Sequence, residues 1–394
     1  MKKIIIFVFV YIGIGILAFS LFKISNKYEL RIIQNNMECR VALKGCNDAR
    51  AIAIDEEDGI YIGYKDYIKV IDNEGKERQL YKEAGDDIED LVYKDSNIYF
   101  IENDSIIRVS TIDGMTEVLR VGIPKGGNNI RRKLLIKEGS LLLSIGTVSN
   151  SGIKEDGNLE LIPIDKEDLG NGAIYQIDTR ENKMRLYATG IRGITGMDLN
   201  SSGDVIGIFS GMKNEGNRPI NRDKDYIYKI EKGTSYGWPD YSGGDPINSP
   251  RFKGEKLVES LIEKTPERLV AAPVFQSEYL DSLREMAIDT EGKILPKDSI
   301  LFWNRQEQMI CSLNKENVLY DILKVNKDSN IEDIIHSRDG FYILDEGLSC
   351  IYELQPKKGF FKYELPIVVW AFLSGLISIT LVIISRKIYL KIKR

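Results

Sequence analysis

The chain contains a single histidine, and this limits the acid–base chemistry that it can perform. Histidine is the side chain whose ordinary pKa lies closest to neutral pH, so it is a frequent proton carrier in active sites. His336 stands just before the turn Ser337-Arg338-Asp339-Gly340, on a strand that enters this turn. We therefore expect a structural role for His336.

Three acidic clusters could in principle bind metal ions. They are Asp86-Asp87, Glu89-Asp90 and the segment from Asp165 to Asp168. Clusters of this kind are typical of solvated loop faces. We therefore expect exposed loops at these positions, and not metal sites.

Four cysteines could form two disulfides or remain reduced. The preferred pairing joins Cys39 to Cys46, which closes a short loop, and Cys311 to Cys350. This number of cysteines also permits other pairings. Reduced, buried thiols that pack as small hydrophobic groups are the alternative. The spacing does not predict a zinc site, because no C-x2-C pair occurs in the sequence.

Two long apolar runs lie near the ends of the chain. Residues 4–22 and residues 365–384 contain no charged side chain, and each run is long enough to cross a bilayer as a helix. Ala18-Phe19-Ser20 resembles a signal-peptidase site, so the first run could be a cleaved signal. We favour a retained transmembrane anchor, and we predict a second transmembrane helix from the C-terminal run.

The positive flanks of these runs predict the orientation of the chain in the cell membrane. Lys2 and Lys3 precede the first run, and residues 385–394 form a basic tail after the second. Loops rich in lysine and arginine remain on the cytoplasmic side. Both termini are therefore expected in the cytoplasm, with the central region outside. The net charge of −5 lacks the basic excess that a nucleic-acid partner needs, so nucleic acid is excluded as a partner.

One pattern recurs six times between residues 40 and 355. Each unit has an apolar run, an acidic or serine turn, a strand, a short gap and another strand. The turns are Glu57-Asp58-Gly59, Ser96-Asn97, Glu138-Gly139, Ser202-Gly203, Glu291-Gly292 and Asp339-Gly340. Where no insertion intervenes, the turns lie about 38 to 48 residues apart, which is the period of a propeller blade.

The repeats predict an all-β fold, namely a six-bladed β-propeller of four-stranded antiparallel blades. A β-sandwich is the alternative, but six similar units explain the spacing better. Extra segments fall near residues 147–171, 211–224 and 240–282. In a propeller such insertions form loops on one face, which is often the binding face.

A short motif, Tyr236-Gly237-Trp238-Pro239, follows the closing strand of the fourth unit. Gly237 permits close approach of the chain and Pro239 fixes φ, so the motif predicts a rigid turn. Tyr236 and Trp238 are large enough to fill the gap between two blades. This structural role is the interpretation that the residues themselves support.

The stretch from about residue 50 to residue 354 resembles the soluble glucose/sorbosone dehydrogenase family. The resemblance rests on Arg192-x-x-x-Gly196, on Gly211, on the YGWP motif and on the last-blade sequence IEDIIHSRDGFYILDEGLSCIYEL. It implies a six-bladed propeller that binds pyrroloquinoline quinone (PQQ) and calcium and oxidises aldoses. The match describes a divergent member, because the positions that carry the family's chemistry are altered.

The family's oxidation of a sugar needs a histidine base and cations that hold the quinone's carboxylates. Matched motif by motif, the histidine position is Asn129, and the cation positions are Gln306, Asn330 and Glu332. An amide cannot take the proton, and a carboxylate at Glu332 would repel an anionic cofactor. Arg192 alone keeps the family's charge, although Arg305 could replace Gln306 if the match slips by one residue.

The resemblance also implies a calcium loop at Gly211, where Met212 replaces the family's proline. Such a site uses backbone carbonyls, and Asp223 or Asp225 could add negative charge. Arg192, Gly211 and Met212 would then lie nearest the cofactor. Calcium is therefore a candidate ligand, whereas PQQ is doubtful.

These losses lead us to expect a surface module without quinone-dependent catalysis. Its partners would be the membrane and a carbohydrate or surface protein that binds the top face of the propeller. An active PQQ- and calcium-dependent sugar dehydrogenase is the first alternative. A calcium-dependent hydrolase of the lactonase kind is the second, but its expected ligand set is missing from the sequence.

Overall fold

The computed structural model describes residues 27, 28, 30–82, 88–127, 130–164, 169–181, 183–252, 254, 258–261 and 270–357. The predicted membrane segments 4–22 and 365–384, the basic tail 385–394 and Asn129 lie outside these residues. Within the described part of the chain, no helix has the length and apolar character needed to span a bilayer.

The described residues form strands and one short 3-10 helix, Pro250–Phe252. In chain order the strands are β1 (Arg31–Ile32), β2 (Met37–Lys44), β3 (Ala51–Ile54), β4 (Ile60–Gly63), β5 (Tyr67–Ile71), β6 (Glu77–Lys82), β7 (Ile88–Lys94), β8 (Asn97–Glu102), β9 (Ser105–Ser110), β10 (Thr116–Arg120), β11 (Lys133–Lys137), β12 (Ser140–Ile145), β13 (Ala173–Asp178), β14 (Lys183–Thr189), β15 (Ile194–Leu199), β16 (Val205–Phe209), β17 (Tyr226–Ile230), β18 (Thr234–Ser235), β19 (Tyr241–Ser242), β20 (Asp245–Pro246), β21 (Phe275–Gln276), β22 (Leu283–Asp289), β23 (Ser299–Asn304), β24 (Met309–Leu313), β25 (Leu319–Lys324), β26 (Ile331–His336), β27 (Phe341–Asp345) and β28 (Cys350–Pro356).

Six sheets form the blades, antiparallel except where β18 pairs parallel with β14, and β19 with β20 forms a separate hairpin. Blades 1 and 2 consist of β3–β6 and β7–β10. Blade 3 is β11–β14 extended by β18, and blade 4 is β15–β17 with β21. Blade 5 is β22–β25 with β1 on its outer edge. In blade 6 the early strand β2 pairs with β28, so the start of the propeller closes its last blade. The predicted six-bladed propeller is confirmed.

The first strand of each blade lines a central channel. These six strands, β3, β7, β11, β15, β22 and β26, contact one another in a closed ring. We call the end of the channel where they begin the top face, and the opposite end the bottom face. Because strands alternate in direction, the loops between blades and those between second and third strands lie on the top face.

The predicted turns occur where the sequence placed them. Asp58 and Gly203, at φ values of 65° and 77°, lie in left-handed backbone that favours glycine and tolerates aspartate. The apolar and aromatic segments that follow the six turns form the second and third strands of the blades, namely β4 and β5, β8 and β9, β12 and β13, β16 and β17, β23 and β24, and β27 and β28.

Carboxylates also join neighbouring blades. Three aspartates on first strands accept a backbone N–H from the first strand of the next blade. The bonds are Asp90 with Leu134 N at 2.7 Å, Asp198 with Ile288 N at 2.8 Å, and Asp333 with Ile52 N at 2.9 Å. Each bond satisfies a buried acceptor and fixes the position of one blade relative to the next.

The four cysteines are all free, so the preferred disulfide pairing is wrong and the reduced alternative describes the structure. Cys311 packs in the apolar core between blades 4 and 5, whereas Cys350 packs between blades 5 and 6. The two thiols therefore lie on opposite sides of blade 5. Burial also raises the pKa of the Cys46 thiol to about 11, which keeps it protonated and unreactive.

Candidate functional site

A cavity of about 530 Å³ occupies the top of the central channel. All six blades contribute to its wall. The lining residues that carry charge are Arg50, Glu89, Lys125, Arg131, Lys133, Arg284, Glu285, Arg305 and Glu332. The volume falls in the range of pockets that hold small molecules, and the wall is far more charged than that of an average pocket.

Irregular pairing in the first strands delivers polar side chains to this cavity. The pairing register between the first and second strands shifts by one residue in four blades. The shifts lie between Ile194 and Gly196, between Arg284 and Met286, and near Glu89 and Glu332. A β-bulge of this kind re-aims one side chain relative to its strand. Glycine is needed at position 196, because a Cβ there would lie 2.8 Å from the backbone nitrogen of Met286.

Arg131 links three blades across the top of the channel. Its guanidinium pairs with the carboxylate of Glu332 and donates to the carbonyl of Arg50 at 2.8 Å and that of Glu332 at 3.1 Å. Asn330 also donates to Glu332, at 2.5 Å. The negative charge of Glu332 is therefore compensated within the protein.

Lys133 and Glu285 form the floor of the cavity. Their side chains are buried and lie 2.5 Å apart, and Asp90 lies 4.0 Å from the same ammonium. Burial raises the pKa of Glu285 to about 7 and that of Asp90 to about 6, although Lys133 opposes both shifts. Asp333 faces the same cluster, and burial raises its pKa as well. The floor can therefore take up protons near neutral pH.

Asp90 also corrects an expectation from the sequence. The cluster Glu89-Asp90 was expected to form a solvated loop face, but Asp90 is only 5% exposed and Glu89 lines the cavity. Both belong to the first strand of blade 2, where the bulge turns them towards the channel and towards blade 3. The other two acidic clusters lie outside the described residues.

Three cations of the cavity wall lack a partner among the described residues. The side chains of Arg50, Lys125 and Arg305 make no hydrogen bond or ion pair there, and Arg50 is half-buried. Trp303 also lines the cavity, and its buried indole Nε1 has no acceptor in the described structure. A cavity with unsatisfied cations and an unsatisfied N–H donor is suited to a ligand that brings acceptors and negative charge.

A second cavity, of about 360 Å³, lies below this floor. Lys133 and Glu285 line both cavities and therefore separate them. His336 lines the lower one, with Nε2 at 3.6 Å from an oxygen of Asp289. Burial lowers the pKa of His336, although Asp289 opposes the shift. The chain's one histidine is therefore near the bottom of the channel and does not line the upper cavity.

The residues aligned to the family's catalytic positions have different locations. Asn330 and Glu332 line the upper cavity. Gln306 is exposed and is not part of the cavity wall, which Arg305 reaches in its place. Asn129 lies outside the described residues. Sequence comparison therefore named Arg305 as the possible replacement for Gln306, but it missed Arg50 and Lys125, because these two occupy positions that the family motifs do not mark.

Arg192 is buried away from the upper cavity. Nη1 donates to Ser210 Oγ at 2.8 Å, while Nε and Nη2 have no partner in the described structure. Burial lowers the pKa of Arg192, and the nearby Asp281 and Asp223 oppose this shift. A cavity of about 20 Å³ adjoins it, which is room for one water molecule and not for an organic cofactor.

The four residues of the predicted calcium loop do come together, through hydrogen bonds. Gly211 N donates to Asp225 at 3.2 Å, and Met212 N donates to Asp223 at 2.6 Å. Each carboxylate accepts further donors, including Tyr226 Oη on Asp223 and the N–H of Leu283 on Asp225, so both oxygens of each carboxylate are hydrogen-bonded. A calcium ion would have to displace these donors, so the carboxylates do not fit a metal site. Among the described residues, no group of three or more His, Cys, Asp and Glu is arranged around a metal position.

The YGWP motif packs between blades 3 and 4. Tyr236 belongs to their shared apolar core, and Trp238 Nε1 donates to the carbonyl of Asn150 at 3.2 Å. Gly237 has φ of 83°, and a Cβ there would lie 2.7 Å from that of Tyr241. The carbonyl of Pro239 accepts from Arg218 at 2.9 Å.

Arg218 is saturated with partners. It pairs with Asp240 and donates to the carbonyls of Ser151, Pro239 and Glu259. We call these five residues the Arg218 corner. Because each guanidinium nitrogen there has an acceptor, this buried cation serves to hold loops together.

The fold and the upper cavity together define a six-bladed propeller with a charged pocket at the top of its channel. Solved structures with this fold include the iodide structure of a Trichoderma reesei protein of the carbohydrate-active enzyme family AA12, at 12% identity over 84% of this chain and 98% of that chain, with a TM-score of 0.64. The holo PQQ domain of pyranose dehydrogenase from Coprinopsis cinerea is 11% identical over 83% and 97% of the chains, with a TM-score of 0.61.

The PQQ-bound aldose sugar dehydrogenase from Streptomyces coelicolor is 14% identical over 82% and 99% of the chains, with a TM-score of 0.56. No protein-family model matches the chain, and no curated protein matches it in sequence. The chain thus resembles the soluble PQQ-dependent sugar dehydrogenases in its fold.

Proposed function

We propose that the chain is a membrane-anchored, extracytoplasmic propeller that binds a small carboxylate-bearing ligand in the upper cavity without oxidising it. The observation that carries this proposal is the set of unpartnered cations, Arg50, Lys125 and Arg305, around a cavity of about 530 Å³. Guanidinium groups match the geometry of a carboxylate. The N–H of Trp303 supplies an additional donor.

The absence of quinone-dependent oxidation is proposed from the acid–base groups. The family's chemistry takes a proton with a histidine, and the sequence has Asn129 at that position. His336 lies near the bottom of the channel, on the other side of the Lys133–Glu285 floor. The upper cavity therefore offers binding groups without the expected base.

Glucuronate and glucose form a matched pair of probes, because they differ mainly in one carboxylate. We expect glucuronate to bind the full-length chain in lipid nanodiscs with measurable heat by titration calorimetry, and glucose to bind far more weakly. Empty nanodiscs serve as the blank. Equal binding of the two sugars, or binding of neither, would argue against the proposal.

A PQQ-dependent sugar dehydrogenase is the second candidate. It is favoured by the same cations, which fit the carboxylates of PQQ, and by the likeness to PQQ-bound structures. PQQ would supply the oxidant for an aldose. Arg50 and Arg305 would hold the group, and Glu285, with a pKa raised by burial to about 7, is the available base. Stoichiometric PQQ binding together with aldose-dependent dye reduction would favour this candidate over the first.

The membrane topology rests on the apolar runs 4–22 and 365–384. Single cysteines introduced near residue 3 and residue 392 should resist a membrane-impermeant maleimide applied to intact cells. Ile112→Cys is the positive control, because Ile112 is 82% exposed on the propeller. Labelling at either terminal site would contradict the proposed cytoplasmic location of the termini.

A further inference from the structure

One top-face insertion exposes four large aliphatic side chains. Val148, Leu159, Leu161 and Ile164 are 50%, 52%, 82% and 83% exposed, and all belong to the connection between β12 and β13. A single exposed leucine needs no explanation, but several in one segment form an apolar surface that marks a binding site in many proteins. We call these four residues the aliphatic ledge.

Hydrogen bonds fix the outward direction of the ledge. Glu160, between Leu159 and Leu161, is only 8% exposed, and its two oxygens accept the N–H groups of Val148 at 2.6 Å and Ser149 at 2.5 Å. Successive side chains of an extended segment point to opposite sides. The buried carboxylate therefore turns Leu159 and Leu161 towards solvent. Usually the charged side chain is exposed and the leucines are buried.

The ledge adjoins the wall of the upper cavity. Gly127 lines the cavity, and a Cβ at this glycine would lie 2.8 Å from Val148 Cα and 3.0 Å from the carbonyl of Thr147. The carboxylate of Glu160 in turn ties Leu159 and Leu161 to Val148. The backbone of the ledge therefore meets the cavity wall at Val148.

We infer that the ligand is an anionic amphiphile, with a carboxylate head in the upper cavity and an aliphatic chain along the ledge. This inference rests on the proposed function, since it assigns a tail to the same carboxylate-bearing ligand. Lys125, two residues before Gly127, is a cation of the same cavity wall. The cations of the cavity would bind the carboxylate head, and the apolar residues of the ledge would contact the aliphatic chain that follows it.

The test compares methyl glucuronide with octyl glucuronide on the full-length chain in nanodiscs. Octyl glucoside, which lacks the carboxylate, is the third probe, and empty nanodiscs correct for partition into lipid. We expect octyl glucuronide to bind on the order of tenfold more tightly than methyl glucuronide, because several methylenes are partly covered. Octyl glucoside should bind much more weakly than octyl glucuronide.

In the double variant Leu161→Ser/Ile164→Ser, the Kd values for methyl glucuronide and octyl glucuronide should become nearly equal, with a ratio close to one. The matched control is Ile112→Ser/Met115→Ser, which removes two aliphatic groups that are 82% and 72% exposed in the turn between β9 and β10, on the bottom face. This control should retain the wild-type ratio.

Equal affinities for methyl and octyl glucuronide would overturn the inference while leaving the proposed function intact. Failure of both to bind would overturn the proposed function itself. If the ledge variant keeps the wild-type ratio but changes the oligomeric state in sedimentation, the ledge is a protein contact and the inference is wrong.

Discussion

The upper cavity and the Arg218 corner both place cationic side chains on the top face, yet they differ in how those cations are satisfied. In the corner, Arg218 is 5% exposed and has four carbonyl or carboxylate partners. In the cavity, Arg50, Lys125 and Arg305 have no partner within the described structure. A saturated cation stabilises the fold, whereas an unsaturated cation retains the capacity to bind a ligand.

The same contrast applies to carboxylates. Asp223 and Asp225 accept several donors each and hold the loop after β16. Among the described residues, Glu285 instead has one ion-pair partner, Lys133, and it faces a cavity. Burial raises the pKa of Asp225 to about 6 and that of Glu285 to about 7, but Glu285 alone borders space that a ligand can enter.

The largest expected effect is on stability, at the corner. Arg218→Met removes the guanidinium that pairs with buried Asp240 and that donates to the carbonyls of Ser151, Pro239 and Glu259. We expect a loss of about 3–5 kcal/mol in the free energy of unfolding. Urea denaturation followed by tryptophan fluorescence measures it. Arg185→Met, at an exposed position of blade 3, is the control and should change little. An Arg218→Met protein as stable as wild type would contradict the structural role.

At the cavity, the same kind of change should affect binding and not stability. Arg305→Gln removes a cation that has no partner in the described structure. We expect the Kd for glucuronate to rise on the order of tenfold, the usual worth of a charge-assisted hydrogen bond. Calorimetry measures the Kd, and the urea midpoint should remain at the wild-type value. Arg185→Gln controls for the change in net charge. If Arg305→Gln lowered the stability without weakening glucuronate binding, Arg305 would have a structural role like that of Arg218, and the difference between the two regions would be contradicted.

Acidification should strengthen binding at the cavity. Burial raises the pKa of Glu285 to about 7, so this carboxyl takes up a proton as the pH falls from about 8 to about 6. Asp90, Asp333, Lys133 and Arg131 are the charged groups that face it. Loss of one negative charge next to the ligand should lower the Kd for glucuronate roughly fivefold, or about 1 kcal/mol. Glu285→Gln should bind at pH 8 as wild type does at pH 6, with a profile that is flat from pH 8 to pH 7, above the pKa of about 6 of Asp90. A steep profile in this variant would assign the effect to another group.

The smallest expected effect concerns Trp303. Its buried Nε1 has no acceptor in the described structure, so Trp303→Phe removes a donor whose loss costs the free protein little. We expect the Kd for glucuronate to rise about threefold, as for loss of one neutral hydrogen bond. Trp238→Phe is the contrasting variant, because Trp238 Nε1 already donates to Asn150. It should lower stability and leave the Kd unchanged. The opposite result would place the ligand near the YGWP motif.

The architecture could be predicted from sequence because each blade carries its own local signals. Turn residues such as Asp58 and Gly203 are followed by short apolar strands, and this pattern repeats around the ring. The closure of blade 6 by β2 carries no such signal, since Cys39 and Leu354 become neighbours only when the ring closes. Long-range pairing of this kind depends on the whole fold.

The candidate site was predicted less well, because its groups come from all six blades. Alignment to the family drew attention to Gln306 and Glu332, but Arg305 reaches the cavity and Glu332 is neutralised by Arg131. Arg50 and Lys125 lie in loops that no motif marks. The retained motif residues, Arg192 and the YGWP sequence, lie in the packed region between blades 3 and 4. The motif residues that best support the resemblance therefore serve packing and do not line the upper cavity.

An experimental structure of the full-length chain with glucuronate tests the central claim most directly. The account predicts density for the sugar acid in the upper cavity, with its carboxylate at about 2.7–2.9 Å from a guanidinium nitrogen of Arg50 or Arg305. An empty upper cavity at saturating glucuronate, or the ligand bound beside Arg192 and Asp223, would contradict it.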